Sequence, residues 1–143
     1  MDDKVAWSNT PADTWFAGRT TASLSIWVKP LVAENPDKKI LFEYGSSVFG
    51  LEGRTGAGQN MEYWVNGNAG IPTRVDFSLD VAKWNHVVLV LDGTKKKIYL
   101  NGFLAGSTDF SAAISEAAHF KIGGRNASEY TNSVFDEMAI YSR

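Results

Sequence analysis

Apolar and polar residues alternate with a period of two along most of this chain, the spacing of a strand with one buried face. Leu24, Ile26 and Val28 alternate with Ser25, Trp27 and Lys29 until Pro30 closes the run. Met61, Tyr63 and Val65 alternate with Glu62, Trp64 and Asn66, and the pattern stops at Gly67-Asn68. Residues 39–44 and 48–52 read as two further strands around Gly45-Ser46-Ser47, with Gly53 to Gly58 as a flexible connection after them. Residues 84–91 are apolar on both sides, which predicts a central strand buried on two faces. Residues 97–100 and 103–106 flank Asn101-Gly102, a dipeptide that accepts positive φ at both positions of a tight hairpin. Residues 119–123 and 134–141 complete the set. The one helical expectation is a short Ala-rich stretch from Ser111 to Ala118. Many short strands with Gly-rich turns predict an all-β sandwich or barrel. No internal repeat or low-complexity linker interrupts the chain, so residues 1–143 are expected to form a single domain.

Composition narrows the chemistry. The chain has no Cys, which removes disulfides, thiolate metal sites and cysteine nucleophiles. Its 14 basic and 16 acidic residues give a net charge of −2, so no nucleic-acid-binding surface is expected. The one basic run, Lys95-Lys96-Lys97, lies beside Asp92-Gly93 and reads as a solvated turn. No apolar stretch approaches the ~20 residues of a membrane span, so no membrane insertion is expected. The start, Met1-Asp2-Asp3-Lys4, lacks the basic and apolar regions of a signal peptide. Five Trp and five Tyr suit both a β-rich fold and a sugar-binding surface.

An ordered series of phrases carries a family resemblance: "SLSIWVKP" (23–30), "LFEYG" (41–45), "MEYWVNG" (61–67), "KWNHVVLVLDGTKKKIYLNGFLAGS" (83–107), "FKIGG" (120–124) and "FDEMAIYSR" (135–143). In order and spacing the chain resembles the laminin G-like, concanavalin A-like lectin/glucanase jelly roll, near its pentraxin-related branch. The resemblance implies an all-β, two-sheet antiparallel jelly-roll sandwich with one concave face. It also implies a module that binds carbohydrate or protein ligands, in places with a calcium ion. Trp27 and Trp84 match recurrent structural tryptophans of the family and are expected in the core. His86 matches a structural histidine. Trp7 and Trp15 are expected to pack against the last strand, and His119 to face solvent.

The two acids near the end, Asp136 and Glu137, test the enzyme reading. Glycoside hydrolysis needs two carboxylates on one face. Adjacent residues of a regular strand point to opposite faces, and the alternate-acid pattern of the hydrolase branch does not occur here. Glu43, Glu52 and Glu62 stand on separate strands. The chain has no Gly-x-Ser-x-Gly elbow and no His-x-x-x-His zinc pair. A non-enzyme is therefore expected. In calcium-binding relatives the Asp of the terminal Asp-Glu phrase is a ligand, which implies Asp136. Asp13 is the nearest N-terminal acid, although the family's Gly-acid phrase is missing there, and Asn132 could add an amide oxygen. The plainer reading is that Asp136 accepts hydrogen bonds from loop amides. Glu137 is expected to be structural.

For a saccharide, the residues needed are an aromatic plate and hydrogen-bonding groups beside it. Trp64 is the candidate plate, with Glu62 and Asn66 on its face and Arg74 in the region that follows. The alternative is that Trp64 covers the second face of its sheet. Two polar loops offer a rim, residues 53–60 and 125–132, and in the second Arg125, Asn126 and Tyr130 lie near Asp136. The expected function is a non-catalytic lectin-like module of an extracellular, cell-surface or virion protein with a glycan partner. The alternative is a structural or attachment module that binds a cell-surface or structural protein.

Overall fold

The computed structural model describes residues 6–7, 16–31, 39–45, 49–54, 60–66, 73–75, 79–116, 120–124 and 130–141. Eleven strands occur among them: β1 (Ala6–Trp7), β2 (Thr21–Pro30), β3 (Lys39–Tyr44), β4 (Phe49–Arg54), β5 (Asn60–Val65), β6 (Thr73–Val75), β7 (Asn85–Asp92), β8 (Lys95–Leu100), β9 (Phe103–Asp109), β10 (Phe120–Ile122) and β11 (Ser133–Tyr141). They pair into a six-stranded sheet, β1-β10-β3-β4-β5-β6, and a five-stranded sheet, β11-β2-β7-β8-β9. The fold is an all-β sandwich, and every strand pairing is antiparallel. Ser111–Glu116, where a helix was expected to begin, is not helical; it is an irregular strap whose Ile114 enters the core.

Period-two patterning builds the interior. Ala22, Leu24, Ile26 and Val28 of β2 face inward, as do Val87, Leu89 and Leu91 of β7. From the other sheet come Phe42, Tyr44, Phe49, Leu51 and Tyr63. Phe49 stacks on Phe16 at 4.7 Å and meets Tyr63 edge-on at 5.6 Å, offset and edge geometries that suit ring quadrupoles. β7 is central in its sheet as expected. Its outward residues His86, Val88 and Val90 are only half-buried, so one face of the strand is in the core rather than two.

The tryptophan expectations change. Trp84 precedes β7 and is 43% exposed, outside the core. Trp27 lies on the outer face of the five-stranded sheet, half-buried, with its ring stacked on that of His86 at 4.7 Å. Period two explains this, because Ile26 and Val28 already claim the inward positions. His86 Nε2 is 2.7 Å from Ser25 Oγ, which gives the histidine the structural setting expected of it. Trp7 lies in β1, which pairs with β10 in the six-stranded sheet. Trp15 and His119 lie outside the described residues.

The Asn101-Gly102 hairpin forms as read. The two residues have φ of 50° and 84° and join Leu100 directly to Phe103. The basic run does not form a solvated turn. Lys95 pairs with Asp109, Lys97 pairs with Asp92 at 2.5 Å, and Lys96 between them is buried.

Candidate functional site

β5 carries the candidate plate, and register decides what lies beside it. Tyr63 and Val65 are buried in the core, so positions 62 and 64 belong to the outer face of the six-stranded sheet. Across the ladder, Trp64 pairs with Gly50 and Gly50 with Glu43. In the next outward row Glu52 pairs with Glu62, and Glu62 with Arg74. Three of the positions singled out in the sequence, 62, 64 and 74, therefore share one face on two adjacent strands. Gly50, between Glu43 and Trp64 in that row, is buried, as Glu43 is, so the row is covered at its β3–β4 end.

Glu43 belongs to this row and was passed over as an isolated acid. It is 1% exposed, and its neighbour Leu41 is also buried, so β3 is covered on both faces. The signal in the sequence was a single carboxylate inside "LFEYG". Burial of that kind requires compensating interactions.

Asn66 follows β5 with φ of 56°. Its side-chain amide is already engaged at both ends. Nδ2 donates to the Ala113 carbonyl at 2.7 Å, and Oδ1 accepts from the Ser115 N–H at 2.7 Å. Beneath β5, Lys96 Nζ donates to the Tyr63 carbonyl at 3.1 Å, with the Tyr63 ring centroid 5.7 Å away. Burial pushes the Tyr63 hydroxyl far above the usual phenol range, and that hydroxyl has no hydrogen-bond partner among the described residues.

Asp136, the described carboxylate of the calcium set, sits elsewhere, on β11 of the five-stranded sheet. Asp136 lies opposite Trp27 at a β-bulge, where three steps along β11 to Ala139 match two along β2 to Ser25. Glu137 in the bulge has φ of 45°, and its N–H donates to Asp136 Oδ1 at 2.8 Å. The strand is thus irregular at the two acids, so strict opposition of their side chains does not apply. Both are exposed. The Asn132 carbonyl accepts the Leu31 N–H at 2.9 Å. Tyr130 bridges to Gly124, and Thr131 N donates to the Gly123 carbonyl at 2.9 Å, so this rim joins β10 to β11. Asp13, Arg125 and Asn126 lie outside the described residues. Among the described residues no three His, Asp or Glu side chains come together, and Asp136 is the only carboxylate of the expected set that they contain. The described residues alone do not make up a calcium ligand set.

A buried polar residue that sequence reasoning missed holds the start of β7. Asn85 Oδ1 accepts the Asp80 N–H at 2.9 Å, and Nδ2 reaches the carbonyls of Lys83, Asp80 and Val28. A polar residue at an inward position of an apolar strand was the available sign.

Comparison with known proteins adds a consistent context. A sequence-family model described as the concanavalin A-like lectin/glucanases superfamily matches residues 2–143. No curated protein matches the chain. Domain 4 of AbnA, a GH43 extracellular arabinanase from Geobacillus stearothermophilus solved with arabinotriose, is similar at a TM-score of 0.71 and 21% identity, over 90% of this chain and 63% of that one. The CBM40 of Ruminococcus gnavus IT-sialidase, bound to α2,3-sialyllactose, is similar at 0.65 and 18%, over 98% of this chain and 89% of that one. A heptameric SAP-like pentraxin from Limulus polyphemus is similar at 0.63 and 15%, over 85% and 64%. At these identities the likeness is one of fold. The chain spans less than two thirds of the arabinanase domain and the pentraxin.

Proposed function

The chain belongs to the concanavalin A-like lectin/glucanase superfamily, and from that membership we propose that it is a non-catalytic carbohydrate-binding module of an extracellular, cell-surface or virion protein. The observation that carries the reading is the register of β4, β5 and β6. It puts positions 62, 64 and 74 on one face of the ladder, and the sequence has Glu, Trp and Arg there. That combination suits a pyranose, whose C–H face stacks on an indole while its hydroxyls meet charged donors and acceptors. The saccharide-binding neighbours, which hold arabinotriose and sialyllactose, support the ligand class. The Asn66 amide is engaged by Ala113 and Ser115, so it is not assigned a direct contact with the sugar. Tyr130, Arg125 and Asn126 are proposed as secondary ligand residues, and Asp136, Asp13 and Asn132 as the calcium set. No catalytic pair is assigned.

The second reading, a protein-binding module, is favoured by one observation. Leu31, Val81, Trp84, Phe103 and Leu104 are all exposed, Phe103 at 80%. Paired strand ends bring Leu31, Val81 and Trp84 together.

A glycan array that includes arabinan fragments and sialyl-lactoses, run in calcium and again in EDTA, separates the readings. The expected result is binding that survives EDTA and is lost in Trp64→Ala. Binding only in calcium moves the site to the rim around Asp136. An absence of hits in both buffers overturns the saccharide reading in favour of the protein one.

A further inference from the structure

We propose that Lys96 and Asn66 are positioning residues for the saccharide face, holding the end of β5 that carries Trp64 from both sides. The inference rests on Trp64 as the plate. β5 pairs along its length with β4, from Asn60 to Val65, but with β6 only at Met61, Glu62 and Tyr63. Among the described residues the ladder on that side stops one position before Trp64. Strand ends with few cross-strand bonds open locally at low free energy.

Two side chains anchor β5 on either side of Trp64. Lys96 crosses from the five-stranded sheet and donates to the carbonyl of Tyr63, the residue just before Trp64. Its ammonium also lies 5.7 Å and 5.9 Å from the ring centroids of Tyr63 and Phe110, within cation–π range. Two residues beyond Trp64, the Asn66 amide grips both Ala113 and Ser115. That strap is itself fixed to the body of the sandwich. Ile114 N donates to the Arg19 carbonyl and its own carbonyl accepts the Gly18 N–H, both at 2.8 Å. Trp64 is thus bracketed by tertiary anchors at positions 63 and 66. A plate already held still loses less freedom when a sugar ring stacks on it, and the saved ordering appears as affinity.

The test uses Lys96→Met and Asn66→Gly. Methionine keeps an apolar stem in the interior but leaves the Tyr63 carbonyl without this donor, so some stability is lost and affinity is read well below the melting temperature. Glycine removes the amide and suits the left-handed backbone at position 66. A purely structural role predicts changes in thermal midpoint and none in the affinity of the folded protein. The expected result is a dissociation constant about five-fold weaker in each variant, for the array saccharide that binds the wild type most tightly. Faster amide exchange at Trp64 and Val65 in the unliganded variants accompanies it. Trp64→Ala is the control. If it abolishes binding while both variants bind and exchange like wild type, the brace is overturned. If Trp64→Ala binds like wild type, the plate reading fails and takes this inference with it.

Discussion

Lys95, Lys96 and Lys97 are consecutive in sequence and occupy three environments, because a strand turns alternate residues to opposite faces. Lys95 and Lys97 reach Asp109 and Asp92 on the outside, while Lys96 enters the interior. Asp92 is the hub of its turn. Its Oδ1 accepts from the Thr94 N–H and hydroxyl and from the Lys95 N–H, at 2.7 to 3.0 Å. The Lys97 ammonium first, then these bonds, hold its carboxyl well below the usual carboxylate range. A depressed folded-state value contributes stability that is complete above the unfolded value near 4 and is lost as pH falls through the folded one. Lys97 shifts the other way, raised by the same bond, so its share is present below its unfolded value and is lost at strongly alkaline pH. Thermal melts of wild type and Asp92→Asn should therefore differ at pH 7 and converge towards pH 2. A constant gap across that range would contradict the assignment. Asn85 acts from within. Removing its amide leaves the Asp80 N–H and several carbonyls without their partner. Asn85→Ala should cost about 2–3 kcal/mol in urea denaturation.

Among elements, the β8–β9 hairpin and the β11 bulge both require a left-handed backbone and meet it with different residues. Gly102 has φ of 84°, and a Cβ there would meet nothing within 4 Å. Gly102→Ala should then cost only the left-handed backbone penalty, about 1 kcal/mol, read from the denaturation midpoint. Glu137 already bears that penalty at φ of 45°, so Glu137→Gly should be neutral or stabilising by up to about 1 kcal/mol. A clear loss would mean that the Glu137 side chain does more than the bulge requires. The hairpin was legible because Asn-Gly is a local signal with a local cause. The bulge left a fainter trace, two core-packed residues, Phe135 and Ile140, an odd five positions apart. Trp84 was misplaced because the apolar run begins one residue before the strand does. The site divides in the same way. That Glu62 and Trp64 share a face follows from period two. That Arg74 stands opposite Glu62, and that Asn66 binds the strap at 113–115, depends on non-local pairings that no local pattern encodes.

Across the whole molecule, the sandwich is closed by rings that also lie behind the proposed saccharide face. Phe49 is fully buried and touches three aromatic partners, Phe16 at 4.7 Å, Tyr63 at 5.6 Å and Phe42 at 5.8 Å. Phe49→Ala should cost about 3–5 kcal/mol, through lost transfer energy and the cavity left among these rings. Domains of this size hold about 5–15 kcal/mol in total. The variant should therefore still fold in the cold, with a much lower urea midpoint and little change in slope. Its consequence for binding separates stability from positioning. Phe49 pairs with Val65, and its deletion leaves the Lys96–Tyr63 and Asn66–strap bonds in place. Well below its melting temperature, Phe49→Ala should bind saccharide nearly as the wild type does, while Lys96→Met loses less stability than Phe49→Ala and binds more weakly. Titration of both variants at 10 °C checks this opposition. If affinity instead tracks stability through both, the face is held by the core as a whole, and the two anchors beside Trp64 have no separate role.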